Sequence, residues 1–336
     1  MKRTVFATAL AGLAAAAVVA APAHAGGGLE QSGDGGYKIS VSVTITSDSG
    51  GVVKSGGTSL AVAPTCWWEL YNPDIGGNDA TTPEGFQKFY DESIPLLSGH
   101  AAAGRLSMPD ADEVKRVTEA AKNGAKYRWY SLRCQEGHSG VKEGYTKSGG
   151  TYYGTEIGIG FAAFIEGQQP EPYVAPEDLA TSLWDYAQQG LTDPTIDRNP
   201  KVTGNGGATL VNVPTWFWVT NPATALADDG KLHLTATAGN TTVTLDAQSN
   251  GVAFTSPAGS TSCSVNQAKY AYGAGASEGS ACTISFDRSS AGWPVTASTT
   301  WGGTWSGNDG SGEALPEVYH STTVNVPVVE VQVPNR

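Results

Sequence analysis

Leu210-Val-Asn-Val-Pro-Thr-Trp-Phe-Trp-Val219 is the stretch on which the architecture turns. Val211, Val213 and Phe217 share one parity, while Trp216 and Trp218 fall on the other. Read as a strand, it carries bulk on both faces, and such a strand is covered on both sides. Ahead of it helix and strand signals mix. Beyond it the chain is strands and turns, so the stretch is expected to open an all-β unit.

Downstream, runs of β-branched and aromatic residues predict strands at Leu232–Ala238, Thr241–Asp246, Gly251–Thr255, Cys282–Phe286, Val295–Trp301 and Val318–Val333, the last interrupted at Pro327. Asp229-Gly230, Gly239-Asn240 and Asn250-Gly251 supply turns between them. About seven short strands over residues 208–336 predict an Ig-like β-sandwich.

Upstream, residues 168–207 form a connector. Gln168–Pro176 is Pro-rich and therefore extended. Pro176 then sits at the favoured first helical position, with Glu177 and Asp178 in the first turn and Gly190 as a stop. Leu179, Leu183, Tyr186 and Ala187 give this helix one apolar stripe, so it must dock. Trp216 and Trp218 are expected to pack it against the sandwich core.

Residues 37–167 read as an α+β domain. Ile39, Val41, Val43 and Ile45 alternate with polar residues through Tyr37–Thr46, a half-buried strand; Ser47–Ser59 reads as a Gly/Ser/Asp loop. Strands are expected at Cys66–Tyr71, Tyr127–Cys134 and Gly158–Ile165. Helices are expected from Thr82-Pro83 to Glu92 and from the capping-box pattern Asp110-Ala-Asp-Glu113 to Gly124, with Val114, Val117, Ala120 and Ala121 as the buried stripe.

The first 25 residues have the form of a secretory signal: Lys2 and Arg3, the apolar run Val5–Val19, and Ala23-His24-Ala25 at the cleavage position. A Gly-rich lead, residues 26–36, follows. Cleavage would leave 18 basic and 32 acidic residues. That balance argues against nucleic acid and anionic lipid, which reward clustered Lys and Arg. An exported chain meets oxidising conditions, so its four cysteines are expected as disulfides, one pair in each half: Cys66–Cys134 and Cys263–Cys282. The expected location is extracellular or non-covalently envelope-associated, with no transmembrane segment after cleavage.

Leu210–Val219, Leu232-His-Leu-Thr-Ala-Thr-Ala-Gly239, the two-cysteine loop, Trp293-Pro-Val-Thr-Ala-Ser-Thr-Thr-Trp-Gly-Gly-Thr-Trp305 and Val326-Pro-Val-Val-Glu-Val-Gln-Val333 occur in this order. Together they resemble exported proteins of filamentous actinobacteria whose C-terminal half is a PKD-like, Ig-like domain. The resemblance covers about residues 176–334. Thr244-Leu-Asp-Ala-Gln-Ser-Asn-Gly251 departs from the usual PKD turn in lacking its Trp and first Gly. The resemblance implies a spacer or binding module and brings no catalytic residues. A nucleotide-binding role finds no G-x-x-x-x-G-K-[ST] here.

Other chemistry is sparse. Ser139-Gly-Val-Lys142 fits the S-x-x-K pattern, but no K-T-G or S-D-N completes it and Gly137, Gly140 and Gly144 make it a loop. His100, His138, His233 and His320 stand singly, and His233 reads as a hydrogen-bonded strand residue. Asp74-Ile-Gly-Gly-Asn-Asp79 and Asn308-Asp-Gly-Ser-Gly-Glu313 only resemble fragments of calcium loops. No metal or cofactor is therefore expected. Nine tryptophans are the stronger hook, since ring faces stack on sugars as well as fill cores. Trp301 and Trp305, beside Gly302-Gly303, are expected to be exposed and to carry ligand binding, while Trp216 and Trp218 fill the core. The expected function is a secreted, non-enzymatic binding or structural protein that engages glycan or protein at the cell surface. The alternative is a secreted hydrolase whose N-terminal domain converges on Glu69, Asp91, Glu136 or His138.

Overall fold

The computed structural model describes residues 30–31, 37–46, 52–71, 79–97, 109–135, 160–273, 277, 279 and 281–331. Residues 1–25, expected to be a secretory signal, and Glu136, His138 and Ser139–Lys142 lie outside the described residues. The chain opens with β1 (Glu30–Gln31), β2 (Tyr37–Thr46) and β3 (Val52–Val62). A smaller unit follows: β4 (Cys66–Leu70), α1 (Pro83–Leu97), α2 (Ala111–Lys122), β5 (Tyr127–Cys134) and β6 (Gly160–Ile165). Then come α3 (Pro176–Gln189), β7 (Ile196–Asn199), β8 (Thr209–Leu210), β9 (Thr215–Val219) and the single turns α4 (Pro222–Ala225) and α5 (Ala227–Gly230). The remainder is β10 (Lys231–Ala238), β11 (Thr241–Ser249), β12 (Val252–Ser256), β13 (Gly259–Cys263), α6 (Val265–Ala268), β14 (Cys282–Ile284), β15 (Ser290–Gly307) and β16 (Gly312–Val329).

The fold is mostly β and is dominated by one large curled sheet, in the order β1-β2-β10-β11-β15-β12-β13, with β3 on β2, β16 on β15 and β8 on β16. The curl follows from β15. Its C-terminal half (Trp301–Gly307) pairs with β11, while Thr296–Ser298 pair with β12, so one 18-residue strand runs through two packed regions. Strict alternation of buried and exposed residues along β15 lets each half bury its own side chains.

Two cores result. In the first, Val41, Val43, Leu234, Ala236, Val243, Leu245, Trp301 and Trp305 meet Leu179, Leu183 and Trp184 of α3. In the second, Trp293, Val295 and Ala297 of β15 meet Phe217, Phe254, Ile284 and Phe286. The second core lies under a three-stranded sheet, β14-β9-β7.

The structure departs from the sequence expectations in three places. Leu210–Val219 is not one strand. Asn212 has φ 58, a left-handed value that Asn tolerates better than most residues, and it breaks the run. Thr209–Leu210 join β16 in parallel, and Thr215–Val219 form the centre of the small sheet. The tryptophans of that stretch do not hold α3. The helix packs on the first core, while Phe217 and Val219 of β9 enter the second and Trp216 and Trp218 lie on the other face of β9, outside both cores. Third, β2 lies in the large sheet between β3 and β10, apart from the β4-β5-β6 sheet, and the supposed loop Ser47–Ser59 contains most of β3. Alternation reports which face is buried but not which partner lies alongside. Glu30 and Gln31 of the Gly-rich lead pair with Lys38 and Tyr37.

The smaller sheet, β4-β5-β6, packs on α1 and α2 through Phe86, Val114, Val117 and Trp129, with Trp129 stacked on Phe86 at 4.0 Å. The Asp110 carboxylate caps α2 by accepting from the Glu113 amide at 2.8 Å. Both expected disulfides form, and Cys66 and Cys134 sit directly opposite each other on β4 and β5. The Pro-rich connector is pinned. Tyr173 exchanges backbone hydrogen bonds with Cys66, and the buried Thr65 hydroxyl donates to Asp178 and accepts from the Ala175 amide, both at 2.7 Å.

Candidate functional site

The site lies on the outer face of the large sheet, on the reverse of the first core. Inner positions of β10, β11 and β15 are apolar, so the alternate positions must face outward and are polar. The two-residue turn Gly239-Asn240 sets Ala238 opposite Thr241 and, further along, His233 opposite Asp246. There the His233 Nδ1 and Asp246 Oδ1 lie 2.5 Å apart, with both side chains partly exposed. The polar face continues through Thr235 beside Thr244 (3.5 Å) and Thr237 beside Thr242 (3.1 Å).

A concavity of about 540 Å³ opens over this face. Asp246, Gln248 and Gly302 form its floor, with Lys231 and His233 on one rim and Glu317 on the other. Gly302 matters for its lack of a side chain: a Cβ there would meet no atom within 4 Å, so bare backbone faces open space. Glycine within a strand often marks such close approach by a ligand. Opposite Gly302 the register of β16 slips: Trp301 pairs with Val318 and Gly303 with Leu315, leaving Pro316 and Glu317 as the bulge. The bulge frees the Pro316 carbonyl, which accepts from the Trp184 indole N–H at 3.1 Å. Helix α3 thereby fixes the bulge from below, and the bulge re-aims Glu317 toward the concavity. Tyr319, opposite Thr300 and 62% exposed, stands one pleat further along the same face.

Trp301 and Trp305 do not carry this surface. They are 0% and 6% exposed, on the inner parity of β15, and the Trp301 indole N–H donates to the Ala225 carbonyl at 3.4 Å. Their flanking glycines suggested exposure. The alternation of the strand decides instead, turning Trp301 and Trp305 inward and Gly302 outward. Trp301 and Trp305, expected to be exposed, therefore face the core. His233 does not stand singly but meets Asp246, and Glu317 lines the same hollow. Counting outward from the Gly239-Asn240 turn would have found the first pair; the β16 bulge carried no comparable signal.

The other candidates among the described residues make local contacts. Glu69 pairs with Arg133 at 3.3 Å, and Asp91 on α1 accepts from Gln87 one turn earlier at 3.0 Å, so the two serve separate contacts. The Asn308–Glu313 segment is the β15–β16 turn. There Asn308 bonds Thr242 and Asn240 across strands, and hydrogen bonds from the Ser311 hydroxyl and amide hold the Asp309 carboxyl below the usual carboxylate range. Of the Asp74–Asp79 fragment only Asp79 is described. No group of three His, Cys, Asp or Glu side chains among the described residues could hold a metal ion. Trp216, 5% exposed, is covered by Tyr272 edge-on at 5.2 Å and by Tyr270, consistent with packing rather than an open ring face.

Comparison with protein-family models, with characterised proteins and with solved structures finds no match to this chain.

Proposed function

We propose that the protein is an exported, non-enzymatic glycan-binding protein. Its ligand lies in the concavity over Gly302, and its C-terminal region is a PKD-like, Ig-like module. The observation that carries this reading is a glycine-floored hollow on an otherwise polar sheet face, ringed by Lys231, His233, Asp246, Gln248 and Glu317. Sugar hydroxyls both donate and accept, and this ring offers both functions. The flat backbone admits a ring, and Tyr319 at its margin offers an apolar face for stacking. Two disulfides suit an oxidising destination, and no helix among the described residues is long and apolar enough to cross a membrane.

The test is retention of the purified chain on insoluble cellulose, xylan, chitin and chitosan, compared with Gly302→Phe. The side chain enters the open space above residue 302, so the variant keeps its fold and loses retention on whichever polymer holds the native chain. Absence of retention on every polymer, or equal retention of both proteins, refutes the reading.

A further inference from the structure

The groups around the concavity also restrict which sugar it selects, and this inference rests on the glycan-binding reading above. A carboxylate only accepts hydrogen bonds, so the His233 nitrogen facing Asp246 must be the one that carries a proton. In the neutral ring the other nitrogen, Nε2, then presents a lone pair. The acceptor-only groups lining the hollow are the Asp246 and Glu317 carboxylates; the Gln248 amide and the Thr304 hydroxyl accept as well as donate. The fixed charges lining the hollow are the Lys231 ammonium and the carboxylates of Asp246 and Glu317, with His233 hydrogen-bonded to Asp246. A uronic acid or phosphate-bearing polymer would bring like charge into that hollow. An ammonium group would bring opposite charge and three donors to a set rich in acceptors.

We propose that the concavity selects a glycan bearing free amines, a de-N-acetylated amino sugar, over its acetylated or acidic counterparts. The carboxylates are solvent-accessible, so the selectivity is modest. Opposite charges about 4 Å apart in water interact by about 1 kcal/mol, which corresponds to roughly a fivefold preference at 1.4 kcal/mol per tenfold.

The experiment is titration calorimetry with two soluble probes near neutral pH: a glucosamine tetrasaccharide and its fully N-acetylated form. The chain carries net negative charge and would attract any polycation. Glu317→Gln is therefore compared with Glu177→Gln on α3, which lies outside the concavity. The expected result is a roughly fivefold preference for the amine, lost in Glu317→Gln, kept in Glu177→Gln, and weakened by salt. Equal affinity for both probes, or equal loss in the two variants, overturns the amine selectivity. If neither tetrasaccharide binds while another polymer retains the chain, the selectivity fails and the glycan-binding reading stands. If no glycan binds at all, both fail.

Discussion

Trp301 and Gly302 are adjacent on β15 and point to opposite faces, so substituting each should produce opposite kinds of damage. Trp301→Ala removes a fully buried indole from the first core, the cluster that also holds Leu179, Leu183 and Trp184 of α3. Large-to-small changes of this kind cost about 3–5 kcal/mol. The indole hydrogen bond to Ala225 is long at 3.4 Å, so most of that cost is packing. At about 2–4 °C per kcal/mol for a domain of this size, the melting temperature should fall by about 10 °C. Below the transition the variant should still bind glycan, because the outer face is untouched. Gly302→Phe should do the reverse: stability within about 0.5 kcal/mol of the native chain, and binding lost. Urea and thermal melts by tryptophan fluorescence and circular dichroism, paired with the retention assay, read both quantities. A Trp301→Ala variant that melts with the native chain but no longer binds would refute the inward assignment of β15. So would a Gly302→Phe variant destabilised by several kcal/mol.

Three further outcomes are expected. Removing Cys66–Cys134, which closes a 68-residue separation, should lower stability by about 4 kcal/mol, and removing Cys263–Cys282, separation 19, by about 3 kcal/mol, both by urea unfolding of the paired Cys→Ala variants. Asp110→Ala deletes the α2 cap and should cost about 1 kcal/mol in the same assay; a cost near zero would mean that water replaces the cap without loss. The Thr81 hydroxyl and amide hold the Asp79 carboxyl below its usual range at the entry to α1. A carboxylate lowered on folding stabilises above its unfolded value and loses that contribution as pH falls through the folded value. The urea midpoint of Asp79→Asn should therefore fall less steeply than that of the native chain below about pH 4; parallel curves would remove Asp79 from that role.

Local patterns in the sequence located most elements, because caps, turns and alternation are properties of neighbouring residues. Pro176 and Gly190 bracket α3, Asp110 caps α2, and the Gly239-Asn240 turn joins β10 to β11, all as expected. What could not be read was partnership. Ile39, Val41 and Val43 announce a buried face, yet nothing in them names β10 as the neighbour. Gly56, Gly57 and the flanking serines dilute the strand signal of Val52, Val53 and Thr58, and pairing with β2 completes the strand. The site divides in the same way. His233 and Asp246 follow from a turn two residues long, whereas Glu317 depends on a bulge and on the Trp184 bond that fixes it.

The position of β2 also constrains the order in which the chain can assemble. Tyr37–Thr46 is made early, but its partner Lys231–Ala238 follows only after the smaller α+β unit, its disulfide strand and α3 have been made. Until then one edge of the β2–β3 hairpin carries unpaired backbone groups and an apolar face with nothing against it. An isolated hairpin is marginal in water, so the first core cannot close until β10 is in place. The large sheet therefore waits for the C-terminal half. A fragment ending before residue 231 would leave the β2 edge open as a ready template for aggregation.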